Sequence, residues 1–203
     1  MRKLLLGVAM LLFAQMGFGQ VSDNAVIPVS VTLNSILRLT VVSGGNIQFV
    51  VNTIEDYMFG IPNSPRYTTR FNVASSRDFD VLIYAESATF AGMDYDATPS
   101  GPDPLDPPIG STAFPIENIG FLVDDGVGSA TVGTNNYNTV SPLSTATTPA
   151  LEDVSGGSST VNIFDIQWEL GTAAVLGATP SLLEQNIAPD TYVGNVFINI
   201  VPN

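Results

Sequence analysis

Short runs in which apolar and polar residues alternate are the feature of this chain that most constrains its fold. In Val26–Leu33 every second residue from Ile27 onward is a large aliphatic one, and similar runs recur along much of the chain. A period of two is typical of a strand with one buried face, because successive side chains point to opposite sides of the sheet. Gly or Pro separates most runs, and helical periodicity is scarce. The pattern predicts an all-β protein.

The runs mark about eight strands. They are Val26–Leu33, Ile36–Val42, Ile47–Val51, Tyr67–Val73, Phe79–Ala85, Ile116–Val123, Thr160–Leu170 and Thr191–Val201. The Ser43–Asn46 turn, which contains two glycines, is typical of a hairpin between the second and third strands. Strands of this length without helices between them predict an antiparallel β-sandwich of the immunoglobulin-like kind.

Two stretches are too long for a minimal sandwich. Asp94–Ser111 is dense in Pro, Gly and Asp, and Asp124–Gly157 is rich in Gly, Thr, Ser and Asn. Loops of this length inside a compact domain are usually functional or mobile. Leu182–Asn186 is a candidate for one short helical turn.

Residues 1–19 have the pattern of a secretory signal peptide. Arg2 and Lys3 precede the apolar stretch Leu4–Phe13, and Gly17 and Gly19 occupy the two small positions before a cleavage site. An uncleaved anchor helix is the alternative, but the apolar stretch is short for a bilayer that needs roughly twenty residues. We therefore expect an exported protein whose residues 20–203 form a single sandwich domain, in the periplasm or at the cell surface of a Gram-negative bacterium.

The exported part is strongly acidic. Without Arg2 and Lys3, four basic residues stand against nineteen acidic ones, a net charge of −15. Such a surface repels phosphate, so we expect no nucleic-acid partner. After residue 19 the sequence has no run of about eighteen apolar residues, which predicts no membrane insertion once the signal peptide is removed.

The composition excludes several catalytic chemistries. The chain has no His and no Cys, which rules out a Ser-His-Asp triad, a Cys nucleophile and the usual zinc sites. Lys3 is the only lysine, so a Schiff base is excluded from the exported part. A hydrolase with paired carboxylates stays open, but no motif marks such a pair. The sequence predicts a protein that is not an enzyme.

A calcium site is the one cofactor chemistry with some support. Asp94, Asp96, Asp103 and Asp106 lie close together in a Pro/Gly-rich loop, and Ca²⁺ prefers carboxylate and carbonyl oxygens. Asp124–Gly126 is a smaller acidic cluster. Neither has the spacing of a dedicated calcium loop, so the alternative is a solvated acidic loop without a cofactor.

Trp168 is the only tryptophan. Together with Glu169 and Gly171–Thr172 it suggests a platform on which a sugar ring stacks. Its alternation with Phe164 and Ile166 favours a core position instead.

The two ends of the exported part carry a family resemblance. The segment AVIPVSVTL opens it, and PDTYVGNVFINIV places a turn, a Tyr and a Gly before an alternating final strand. In this the chain resembles secreted sandwich domains of the fimbrial-subunit and spore-coat-U type, and the signal peptide ending before Gln20 resembles those of the Bacteroidota. Fimbrial subunits commonly contain a disulfide. This chain has no cysteine and departs from the family in this respect.

The resemblance implies a structural or adhesive subunit of the cell envelope or surface, with other protein subunits as partners. Its expected mechanism is strand addition, in which an extended segment of one subunit completes the sheet of another. Val26–Leu33 is the expected donor, although its pattern also fits pairing within its own sheet. The alternative function is a calcium-assisted module that binds extracellular glycan or matrix through the Asp94–Asp106 loop.

Overall fold

A computed structural model describes residues 28–92, 113–124, 139–177 and 181–203. The chain divides into two compact units, Met1–Asn34 and Ser35–Asn203. Of the first unit only residues 28–34 are described, and the second unit contains the strands and the core.

The described residues form eleven strands. They are β1 (Leu37–Ser43), β2 (Thr68–Ser75), β3 (Phe79–Ala85), β4 (Thr89–Gly92), β5 (Ala113–Pro115), β6 (Ile119–Asp124), β7 (Ser141–Pro142), β8 (Pro149–Val154), β9 (Ile163–Leu170), β10 (Tyr192–Val193) and β11 (Val196–Pro202). Two short helices, α1 (Ile54–Phe59) and α2 (Ala173–Leu176), lie outside the sheets.

The strands pair in three antiparallel sheets. The five-stranded sheet has the order β1-β2-β9-β6-β7, the β11 sheet has the order β11-β3-β8, and a small sheet has the order β10-β4-β5. Cα atoms of β1 and β11, the edge strands of the two larger sheets, come within 8 Å of each other. The prediction of an all-β antiparallel sandwich is confirmed.

The core lies between the five-stranded sheet and the β11 sheet. On β2 and β9, Phe71 pairs with Phe164 in register, and the two rings stack with centroids 5.2 Å apart. Facing them, Phe79 and Val81 of β3 are fully buried. The alternation seen in the sequence therefore corresponds to an inner face, as the period of two predicts for strands packed on one side.

Two predicted strands do not form in the described residues. Residues 28–33 belong to no strand, although they carry the cleanest alternation in the chain. Ile47–Val51 also belongs to no strand: its odd-numbered side chains pack against the core, but its backbone joins no sheet. Both segments have the apolar pattern of a strand, but neither pairs with a described strand.

The prediction of a second long loop is partly wrong. Asp124 ends β6, and within the predicted loop Asp124–Gly157 the structure forms β7 and β8. Leu151 and Val154 of β8 are fully buried against β3. The predicted final strand is divided into β10 and β11 by Gly194 and Asn195. Phe90 packs so close to Gly194 that a Cβ at this position would lie 2.0 Å from its Cδ1.

Helix α1 is fixed by a reciprocal cap. The Asp56 N–H donates to Thr53 Oγ1 at 3.1 Å, and the Thr53 N–H donates to the Asp56 carboxylate at 3.0 Å. This capping box satisfies backbone donors that a helix start leaves unpaired. The predicted turn at Leu182–Asn186 forms as well, with the Glu184 N–H donating to the Ser181 carbonyl.

One surface ion pair spans β2 and β9. The Arg70 guanidinium donates two hydrogen bonds to Asp165, at 2.7 and 2.6 Å, and this contact raises the pKa of Arg70. Among the described residues no helix has the length and apolarity needed to cross a membrane.

Candidate functional site

The aspartates predicted to bind calcium cannot be located in the fold. Asp94, Asp96, Asp103 and Asp106 lie outside the described residues. Asp124 is described, and its carboxylate accepts a hydrogen bond from Gln167 Nε2 at 3.4 Å. Within the described ranges, no group of three or more acidic side chains is arranged to hold a metal ion. The calcium site therefore stays a prediction.

Among the described residues, an open groove runs along the side of the sandwich where β1 and β11 form the edges. We call it the edge groove. Its two lips are Asn46–Val51, which follows β1, and the stretch from Pro189 to Ile198, which leads into β11. The cavity between the lips has a volume of about 1030 Å³. This is the volume of a large ligand site, but the groove is elongated between two chain segments.

The first lip has the alternating side-chain pattern of a strand but pairs with no described strand. Ile47, Phe49 and Val51 pack against the core, while Gln48 and Val50 face outward. In the described structure no backbone–backbone hydrogen bond is made by residues 46–51. Backbone N–H and C=O groups normally find partners, so this lip presents a row of donors and acceptors to an incoming strand.

Gly44 places the first lip away from β2. Its φ of 69° is in the left-handed region, and a Cβ there would lie 2.0 Å from the Thr68 carbonyl oxygen. Glycine is the residue that adopts this conformation without a steric penalty. The chain therefore leaves the β1–β2 ladder at Gly44, and the predicted hairpin return to β1 does not form.

The second lip contains β10, which pairs with β4, and the first residues of β11, Val196–Ile198, at whose free edge the groove lies. All seven residues of β11 pair with β3, and β11 has no partner on its other side among the described strands. Val196, Ile198 and Ile200 face the core but are only half-buried. An edge strand with apolar side chains and unpaired backbone groups is a template for a further strand.

The floor of the groove is mainly apolar. Its side chains come from several elements around the core and are rigidly held there. They include Leu39, Phe90, Phe114, Ile119, Leu170 and Leu182. The phenol of Tyr192 closes one part of the floor by donating to the Ala188 carbonyl at 2.7 Å. Partial burial, and to a lesser degree the negative charge of Asp190, raises the pKa of Tyr192.

One polar chain crosses this floor. Trp168 Nε1 donates to Thr69 Oγ1 at 2.9 Å, and the Thr69 hydroxyl donates to the Gly44 carbonyl at 2.6 Å. A buried polar group without a partner is costly, and here each donor is satisfied internally. The side-chain donors of this chain are thus used internally, and the apolar side chains around it are suited to contact with aliphatic side chains.

The sugar platform suggested for Trp168 does not form. The indole is 6% exposed and lies beside Phe121, with ring centroids 5.9 Å apart. The Glu169 carboxylate is also buried and accepts a hydrogen bond from the Thr172 hydroxyl. The core position that alternation favours is confirmed.

Sequence analysis did not find the groove because alternation does not show which strands pair. The available signal was Gly44–Gly45, which interrupts the alternation before Ile47. No protein-family model and no characterised protein matches this chain in sequence.

Proposed function

We propose that this protein is a non-catalytic, exported structural or adhesive subunit that assembles with other copies by strand addition. The observation that carries the proposal is the edge groove, which has a mainly apolar floor and lies between Asn46–Val51, which joins no described sheet, and the free edge of β11. A strand inserted there would supply backbone partners to both lips and cover the half-buried side chains of β11. The export pattern of residues 1–19 supports a place in the cell envelope or at the surface.

The proposed donor is the segment Val26–Leu33 of another copy. Where it is described, its apolar side chains are in solvent: Val29 is 82% exposed, Val31 77% and Leu33 90%. Three aliphatic side chains at alternate positions are a strand face without a sheet to cover it. Eight extended residues reach about 26 Å, close to the roughly 23 Å of a seven-residue strand such as β11.

The other terminal strand is a poor donor. Besides its ladder with β3, β11 is held at its end by Asn203, whose Nδ2 donates to Asp80 and to Asp153, at 3.0 Å each. The Asn203 N–H also donates to the Asp78 carbonyl at 2.8 Å. Removing β11 from its sheet would break these bonds and expose the core, whereas residues 28–33 leave no strand pairing behind.

Peptide binding tests the proposal directly. The acceptor is the exported protein carrying Val31→Asp, which is expected to be monomeric because a charge in the donor face cannot enter an apolar groove. A synthetic peptide of residues 26–34 is titrated into it, and the thermal midpoint is followed. We expect the midpoint to rise with peptide concentration, since a ligand that binds only the folded state stabilises it.

The matched control is the same peptide with Val29 and Val31 both replaced by Asp. It should leave the midpoint unchanged. If neither peptide raises the midpoint or gives heat on mixing, the edge groove does not accept this segment. A wild-type protein that is monomeric at all concentrations, with its groove filled by its own residues 26–33, would contradict exchange between copies.

A further inference from the structure

Two apolar patches lie at opposite ends of β9. Val161 precedes β9, and the Asn162 carbonyl accepts a hydrogen bond from the Val73 N–H at 3.0 Å. At the other end, Leu170 exchanges hydrogen bonds with Ile61, which follows α1. The seven residue steps from Ile163 to Leu170 place the two ends about 23 Å apart.

The first patch lies where the proposed donor segment joins the second unit. We call it the root patch, and it consists of Ile36, 63% exposed, and Val161, 59% exposed. The Ile36 carbonyl accepts from the Ser76 N–H at 2.9 Å, and Leu37 pairs with Ser75. These bonds hold Ile36 at the same end of the five-stranded sheet as the chain around Val161.

The second patch is at the opposite end and borders the edge groove. We call it the α1 patch, and it consists of Ile54, Met58, Phe59 and Leu183, all exposed. The Leu183 N–H donates to the Tyr57 carbonyl at 3.2 Å, which brings this turn to the helix. Tyr57, on the same helix, lines the groove. The patch is therefore continuous with the mouth of the groove at the α1 end.

We infer that the α1 patch of one copy docks against the root patch of the copy that donates its strand. The inference rests on the proposed function. Only Asn34 and Ser35 separate Leu33 from Ile36, a link of at most about 11 Å. When Val26–Leu33 of a donor fills a groove, the root patch of that donor must therefore lie at the end of the groove from which Leu33 leaves.

The α1 end of the groove is the end that fits. β11 begins at Val196, which lines the groove together with Tyr57 of α1, and ends toward the root patch, where the Asn203 N–H donates to the Asp78 carbonyl. Every described strand pair is antiparallel. A donor strand antiparallel to β11 therefore has Leu33 beside the start of β11, at the α1 end. The α1 end carries four exposed apolar side chains beside the groove. Docking there places each copy's root patch on the next copy's α1 patch, a head-to-tail contact that repeats without closing.

The test separates this contact from strand insertion. Met58→Ser with Phe59→Ser in the exported protein is compared with wild type, and Val42→Ser on the outer face of β1 is the matched control, since Val42 is also exposed. We expect the α1-patch variant to need about tenfold more protein for half-assembly, the loss typical of truncated apolar anchors. Val42→Ser should assemble like wild type.

Two further measurements make the result decisive. Introduced together with Val31→Asp, the α1-patch substitutions should leave binding of the 26–34 peptide unchanged, because a peptide has no root patch. Val161→Ser should weaken assembly as the α1-patch variant does, and combining the two should add little, since both remove one contact. Normal assembly of the α1-patch variant, with peptide binding intact, would overturn the docking contact alone. Loss of peptide binding to the Val31→Asp protein would overturn the proposed function and this contact with it.

Discussion

β3 and the segment of residues 28–33 have the same sequence pattern and opposite environments. In β3, Phe79, Val81 and Ile83 alternate with Asp80, Leu82 and Tyr84, and the strand lies between β8 and β11 with its inner face buried. In residues 28–33, Val29 and Val31 alternate with polar residues in the same way, yet they lie in solvent and in no strand.

The difference shows what alternation does and does not specify. It fixes which side chains share a face, because that follows from backbone geometry. It does not fix which chain supplies the neighbouring strand. β3 pairs with two strands of its own unit. Residues 28–33 pair with no described strand, and we propose that the edge groove of another copy supplies the neighbour.

The largest effect on the free energy of unfolding is expected for a substitution in β3. Phe79→Ala should lower the free energy of unfolding by about 3–5 kcal/mol, because it removes a fully buried ring and leaves a cavity. Leu33→Ala, the matched change in the donor segment, should alter the unfolding of the monomer by less than about 0.5 kcal/mol. Denaturant titration at a protein concentration below assembly checks both. A comparable loss for Leu33→Ala would mean that this segment is already packed within its own chain.

A smaller effect is expected at the groove floor. Thr69→Val removes the acceptor of Trp168 Nε1 and the donor to the Gly44 carbonyl, which should cost about 1–3 kcal/mol. The lip at residues 46–51 should also become less ordered, and peptide affinity should fall. Thr40→Val, on an exposed position of β1, is the control and should be nearly neutral. Equal effects of the two variants would show that the polar chain does not hold the lip.

The smallest expected effect is a dependence of the stability of helix α1 on pH. The backbone N–H of Asn52, then the hydroxyl and N–H of Thr53, hold the pKa of Asp56 below its usual value of 3.8. A carboxyl whose pKa is lower in the folded state stabilises it above the unfolded pKa and loses that contribution as pH falls through the folded pKa. The protection of the Tyr57 amide, the factor by which it exchanges more slowly than an unstructured peptide at the same pH, should therefore fall below about pH 4, and Asp56→Asn should leave this protection low and independent of pH in that range. Unchanged protection in Asp56→Asn would show that the capping box is not needed for α1.

Much of the fold follows from the sequence because it depends on local periodicity. The strands β1, β2, β3, β6 and β9 were all indicated by alternation, and the burial of Trp168 followed from its place among Phe164 and Ile166. β8 was missed because Pro149 and the acidic pair Glu152–Asp153 conceal its buried face.

The groove could not be derived from the pattern alone. Its existence depends on the direction in which the chain leaves Gly44. The left-handed backbone of Gly44 and the close approach of the Thr68 carbonyl, from a residue distant in sequence, determine this direction. The donor segment was indicated by alternation, but alternation does not show that no described strand pairs with residues 28–33. The calcium prediction at Asp94–Asp106 lies outside the described residues and stays a prediction.

Cross-linking tests the central claim most directly, and the chain has no native cysteine to interfere. A protein carrying Ile198→Cys on the groove face of β11 is mixed with a second protein carrying one cysteine in the donor segment. Val29→Cys, Val31→Cys and Leu33→Cys place it on the apolar face, and Ser30→Cys and Thr32→Cys place it on the other. Strand insertion predicts disulfide-linked heterodimers from at least one odd-numbered position and none from the even-numbered ones, because only one face of the inserted strand meets the inner face of β11. Absence of heterodimers, or equal yields from both faces, would contradict it.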